Sequence, residues 1–289
     1  MPDLSALENP NQWMPFPLED GPFRLTMGLR SISEDQWWLT GPDHLQQMAE
    51  RRMLLTHRPD AVLACQPSAE AAAGKVWAML RPDAEPLVGK AALAALGREV
   101  QEDICILQRG QDDASYRLTG AVLCFPNRWR LADKLGRDMP GIHNPVPSYA
   151  ESLEKPIDRF FSHLKADRIV ERHNWSLHAD DGLFHPEASD HTHDQAADAV
   201  TAENAGETVF MRVERQTLRR LDDVGPNTII FTIRTMIATL ADALDNDATR
   251  FTRLETALTT MPASMQRYKA MARMIPAIRA YLAQNKPSA

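Results

Sequence analysis

Between Asp103 and Phe125 the chain reads DICILQRGQDDASYRLTGAVLCF, and this stretch sets the fold class. A short apolar run, Ile104 to Leu107, gives way to the turn-forming QRGQDDAS and then to the β-prone YRLTGAVLCF, which Pro126 ends. Two such runs around a Gly- and Asp-rich connection predict a β-hairpin, placed at the centre of a sheet. Strand pattern returns at TVFMRVERQTLRRL (208–221) and IIFTIRTMIATL (229–240). Their connection, DDVGPNT, has Gly225 and Pro226 as turn residues, so a second hairpin extends the first sheet.

On either side of this sheet the periodicity is helical. Residues 42–57 carry Leu45, Met48, Met53, Leu54 and Leu55 at helix spacing; SAEAAAGKVWAML (68–80), with Ser68 as its cap, and GKAALAALGREVQ (89–101) form two more helices. Leu153, Ile157, Phe160, Phe161 and Leu164 mark one face of a helix within 149–164. Residues 248–285 read as a helical tail interrupted at Met261-Pro262 and Pro276. The acidic, histidine-spotted 178–207 is expected as a mobile surface loop, and the proline-rich residues 1–22 as an extended arm. The expectation is an α+β protein with one domain over 23–285, its antiparallel sheet flanked by helical N- and C-terminal additions.

A 44% hydrophobic, 25% charged composition over 289 residues is that of a globular protein, with no apolar run of bilayer length and so no membrane partner. The net charge of −7 opposes a nucleic-acid partner, which requires a concentrated positive face. RVERQTLRR concentrates arginines, but its alternation reads equally as a solvated sheet face. Cys65, Cys105 and Cys124 are odd in number and form no CxxC, which argues for a reducing, cytoplasmic setting and against a disulfide scaffold or zinc knuckle. P-loop, GxGxxG and GxSxG motifs are lacking, so nucleotide, dinucleotide and serine-hydrolase chemistry have no footing.

GIHNPVPSY (141–149) supplies a histidine between prolines, and ERHNW (171–175) a second one beside an arginine and an indole. Pro145 and Pro147 are expected to press Asn144 and Val146 into extended backbone and so deliver the His143 imidazole rigidly. A ligand and a hydrogen-bonding turn residue both need that rigidity, so both roles stay open for His143.

The blocks FRLTMGLRSI, EVQEDICIL, LCFPNRWRLADKLG, IHNPVPSY, ERHNWSL, RVERQTLRRL and IIFTIRTM resemble, in order and content, the haem-dependent oxidative N-demethylase alpha-subunit-like family, from Phe23 to Met236. The resemblance implies a PAS-like haem b domain that oxidises a small alkylamine with dioxygen, releases formaldehyde, and takes electrons from separate flavin and iron–sulfur reductase components. A haem-binding PAS-like sensor, or an interaction subunit without turnover, is the alternative. On this resemblance His143 is the preferred iron ligand and His173 the second. Arg172 and Arg128 would pair with propionates through bidentate guanidinium contacts, and Trp129 would line the pocket. Glu102 and Asp103 are candidates to orient a protonated amine, with Trp175 as a stacking indole. His185, His191 and His193, with Asp190 and Asp194, superficially suggest a metal site, but loop composition and the resemblance give them no such role.

Overall fold

A computed structural model describes residues 13–147, 149–187, 191–225 and 227–287. The expected first hairpin is formed by β3 (Asp103–Gln108) and β4 (Arg117–Val122), the second by β6 (Phe210–Leu221) and β7 (Thr228–Thr239). With β1 (Arg30–Ile32), β2 (Leu63–Cys65) and β5 (Ile169–His178) they make one seven-stranded sheet in the order β1-β5-β6-β7-β3-β4-β2. Every pairing is antiparallel. Numbered along the chain, its five central strands lie side by side as second, first, fifth, fourth, third, the PAS-like antiparallel arrangement. Gly225 (φ +69°) and Asn227 (φ +36°) supply the left-handed residues of the β6–β7 turn; Pro226 lies outside the described residues.

Helices cover both faces. On one, α1 (His44–His57), α2 (Pro59–Val62), α3 (Glu70–Leu80) and α4 (Gly89–Glu99) pack with Trp37 and Trp77 over Ile104, Ile106, Val122 and Ile230. The expected cap, Ser68, instead sits within a 3-10 turn, Pro67–Ala69, and α3 starts at Glu70. Proline at the head of that turn tightens the chain into 3-10 geometry before the α-helix begins. On the other face, α5 (Leu131–Lys134), α6 (Met139–His143), α7 (Tyr149–Ser152) and α8 (Glu154–His163) close over Tyr116, Leu118, Val170, Leu218, Ile229 and Ile233, with Phe161 and Leu164 at the centre.

A third core joins Trp175, Leu177, Met211, Val213 and Met236 to the remaining helices. These are α9 (His191–Asp198), α10 (Ala205–Thr208), α11 (Leu240–Leu244), α12 (Ala248–Thr260), α13 (Ala263–Tyr268) and α14 (Ile275–Asn285). Pro276 falls in the first turn of α14, where its missing N–H is not needed, so it opens a helix rather than breaking one. Met14 and Leu18, from the expected arm, are buried in this core; residues 1–12 lie outside the described residues. The stretch expected as a loop carries α9 and α10 and buries Ala197, Val200 and Ala205. Small apolar residues suffice for that burial, and they leave little hydrophobic periodicity to read. No helix among the described residues is long and apolar enough to cross a membrane.

Candidate functional site

Because side chains alternate along a strand, β5 presents two chemically different sets. Glu171, His173, Trp175 and Leu177 point to one face; Arg172, Asn174, Ser176 and His178 point to the face covered by α5–α8. Across the register Asn174 opposes Glu214, Arg172 opposes Gln216 and Ser176 opposes Arg212. RVERQ is therefore not a solvated face: Arg212, Glu214, Arg215 and Gln216 are all buried, since helices cover the sheet on both sides.

Glu214 is the focus of this polar face. Its Oε1 accepts from Asn127 Nδ2 (3.2 Å), and its Oε2 accepts from Gln216 Nε2 (3.0 Å) and Asn174 Nδ2 (3.3 Å). Arg212 Nε lies 3.7 Å from Oε1. Three amides thus replace water around a carboxylate that is only 6% exposed, which makes its burial tolerable and fixes its orientation. Two cations border it. Lys269, just after α13, reaches the open edge of β5, where Nζ donates to the Trp175 carbonyl and to Asn174 Oδ1 (3.3 Å) and lies 5.2 Å from the Trp175 ring centre. Burial pushes its ammonium down to about 8; Glu214 opposes the shift and Arg172 adds to it. Arg172 donates only at 3.3 Å, to Gln216 Oε1 and the Thr26 carbonyl, and its buried Nε has no partner among the described residues. It makes no ion pair among those residues.

His143 ends α6, which Asp138 caps by accepting from the Gly141 N–H (3.0 Å). The expected extended backbone does not occur: Asn144 is right-handed helical (φ −49°, ψ −35°) despite the following proline. The hydrogen bond from Val146 N–H to the His143 carbonyl (2.8 Å) closes a turn that offsets that steric cost. Rigidity comes from the ring's contacts instead. Nδ1 lies 2.9 Å from the Met139 carbonyl and must donate to it, and the ring stacks on Tyr149 with centroids 4.5 Å apart. Burial pushes the imidazole down to about 4, a shift the Met139 hydrogen bond opposes and Lys134 and Arg172 reinforce. At neutral pH His143 is uncharged, with its lone pair on Nε2.

The other candidates are dispersed. His173 is on the opposite face, opposing Arg215 beside Glu171, and burial pushes it down to about 4. Trp175 shares that face and packs in the C-terminal core. Glu102 and Asp103 are fully buried rather than solvated. Asp103 accepts from Arg51 (2.6 Å) and from the N–H groups of Cys124 (2.7 Å) and Phe125 (2.9 Å), so both oxygens are committed to structure. Glu102 accepts from the Leu39 N–H (3.0 Å); burial raises its pKa against the pull of Arg234 and Arg215, which lie on the face away from His143. Trp129 is half-buried against the α5–α8 core, with Lys134 over its ring.

Arg128, at φ +63°, is committed to a histidine cluster farther along the same face, beside His178: its guanidinium contacts His193 Nε2, and its N–H donates to the His185 carbonyl (2.7 Å). Asp180 bridges His185 Nε2 and His193 Nδ1 at 3.0 Å each, and the His178 ring stacks on His185. His185 and His193 therefore belong to a partly buried cluster and not to a solvated excursion. No group of three or more His, Cys, Asp or Glu side chains among the described residues is arranged to hold a metal ion, and Asp190 lies outside those residues.

Fold and site together define an α+β protein with a PAS-like sheet, one of whose helix-covered faces combines a neutral histidine, an amide-held carboxylate and two cations. Residues 78–279, more than two-thirds of the chain, match the family described as haem-dependent oxidative N-demethylase, alpha subunit-like. The chain belongs to that family.

Proposed function

We propose that the chain is the oxygen-activating subunit of an oxidative N-demethylase, with haem b bound non-covalently on the face carrying His143. The observation that carries the proposal is the His143 imidazole: neutral, oriented through Nδ1, and left with a donor lone pair at Nε2. The rest of the face suits the same group. Phe161 and Leu164 give the apolar wall, and Arg172 and Lys269 are cations that two propionates would neutralise.

Haem, when bound, supplies the centre at which dioxygen is held and reduced and the N–methyl carbon is oxidised. The residues of the chain do the remainder. Glu214 receives the substrate's ammonium on a carboxylate already aimed by Asn127, Asn174 and Gln216, so little orientation is lost on binding. The α5–α8 layer excludes bulk water. Lys269 holds a proton at Nζ next to Asn174 and within electrostatic reach of Glu214.

One dioxygen, two electrons and two protons convert the amine's N–methyl group to an N–hydroxymethyl group and release water. The carbinolamine then breaks its C–N bond, the hydroxyl proton passes to nitrogen, and the products are the shorter amine and formaldehyde. The two electrons come from a separate flavin/iron–sulfur reductase, because this chain carries neither a nucleotide fingerprint nor a cluster-binding cysteine set. With haem, NADPH and such a reductase, a panel of small methylamines should yield formaldehyde in step with oxygen uptake. Normal binding of dioxygen or carbon monoxide without turnover on any amine would favour the sensor alternative.

A further inference from the structure

α8 presents a second surface, on the side away from the sheet. Lys155, Arg159 and His163 follow one another at i, i+4 and i+8 and are exposed. With Pro156 and Phe160 they line an open recess of about 620 Å³. Three basic side chains thus ring an apolar floor. None of the three has an ion-pair partner among the described residues. Of the two acids on the same helix, Asp158 turns to the other side, where it accepts from Ser115 Oγ (3.2 Å), and half-buried Glu154 opens the helix just before Lys155. Lys155 and Arg159, like charges spaced by four residues, repel by roughly a few tenths of a kcal/mol, the reverse of a helix ion pair. A basic stripe also stands out on a chain whose net charge is −7.

The place of the stripe gives it a purpose. The inner face of α8 buries Phe161 in the core beneath which the sheet lies, and the Phe160 ring lies 6.0 Å from that of Phe161. α6, α7 and α8 follow one another in a single layer, and Tyr149 of α7 stacks on His143. The recess on α8 is therefore connected to His143 through α7, and α8 itself is about 10–12 Å across.

We propose that this basic recess on α8 is the docking surface for an electron-transfer protein with an acidic face, one carrying an iron–sulfur cluster. The inference rests on the proposed function, which requires an external donor. Each docking event moves one electron: the donor's cluster is oxidised by one, the haem iron goes from ferric to ferrous, and no covalent bond forms or breaks. Charge steering suits the purpose, since it speeds encounter without the tight binding that would slow release of the spent donor.

The test uses the full chain and an acidic plant-type [2Fe–2S] ferredoxin as probe. Association is followed by isothermal titration calorimetry at low and at high salt, which needs no haem, and haem reduction is followed by stopped-flow absorbance. The double variant Lys155→Glu/Arg159→Glu should lose association and slow ferredoxin-driven reduction at least tenfold at low salt. Its reduction by dithionite should be unchanged. The reversal Lys90→Glu/Arg98→Glu, on exposed positions of α4, should leave both at wild-type levels. Wild-type association by the α8 variant, equal loss in the α4 variant, or no salt-sensitive association by wild type would each overturn the docking site. Failure of the wild-type chain to take up haem would instead overturn the proposed function, whatever the calorimetry shows.

Discussion

Replacing Asp103 with asparagine removes the carboxylate that pairs with Arg51, a guanidinium with no exposure to solvent. Arg51 keeps its bonds to the carbonyls of Gly97, Gln101 and Glu102, but these are neutral and leave a buried cation uncompensated. Removing one partner of such a pair costs about 3–5 kcal/mol. The amide can still accept one of the N–H groups of Cys124 and Phe125, while the other loses its acceptor, so the upper half of that range applies. For a cooperative chain of 289 residues the unfolding entropy is roughly 0.6 kcal/mol/K, which turns 4–5 kcal/mol into a drop of about 7–8 °C. Differential scanning calorimetry measures it directly. The double variant Arg51→Met/Asp103→Leu, which removes both charges, should recover part of the loss. If Asp103→Asn melts within about 1 °C of wild type yet abolishes formaldehyde production, Asp103 acts on substrate and its structural assignment is wrong.

Other outcomes follow from the same geometry. Glu214→Gln should retain haem but raise the KM for amine at least tenfold, as steady-state formaldehyde assays will show; an unchanged KM removes Glu214 from substrate binding. His143 and His173 are both held near 4 in the fold against an ordinary value of 6.5, so the native state binds fewer protons. Their stabilising contribution is complete above about pH 6.5 and is lost as pH falls toward 4, and urea midpoints of wild type should decline through that window more steeply than those of the His143→Phe variant. Lys269 has the same sign of consequence in a higher window: depressed to about 8, it disfavours the fold while charged, so wild type should gain stability relative to Lys269→Met as pH rises from about 8 toward 10. His193→Ala should leave haem uptake unchanged, because its ring is committed to Asp180 and Arg128, and spectral titration with hemin will tell.

The two hairpins were legible because alternating and continuous apolar runs leave few other options, and α1, α4 and α8 because their apolar spacing is helical. Strand parity also separates His173 from Arg172 and Asn174, but which side of the sheet the α5–α8 helices cover is a tertiary fact. The role of Asp103 was hidden for the same reason, since its partner Arg51 is 52 residues away in sequence. Glu214 was missed because a strand carrying Arg212, Glu214 and Gln216 at alternate positions reads as solvated; only a covering helical layer turns those residues into a buried site. Lys269 left no sequence signal at all, since its place depends on how α13 meets the free edge of β5. The rigidity of His143 was anticipated from flanking prolines, yet it arises from the Met139 carbonyl and the Tyr149 ring.

The most direct test of the whole account is a spectral titration of the haem-free chain with hemin, carried out in parallel on wild type, His143→Ala and His173→Ala. Wild type should bind one haem per chain with a ligated-imidazole ferric spectrum; His173→Ala should match it. His143→Ala should bind far more weakly with an altered Soret band, and added imidazole should restore the wild-type spectrum. A wild-type spectrum from His143→Ala together with loss in His173→Ala would place the ligand on the other face of the sheet and contradict the site described here.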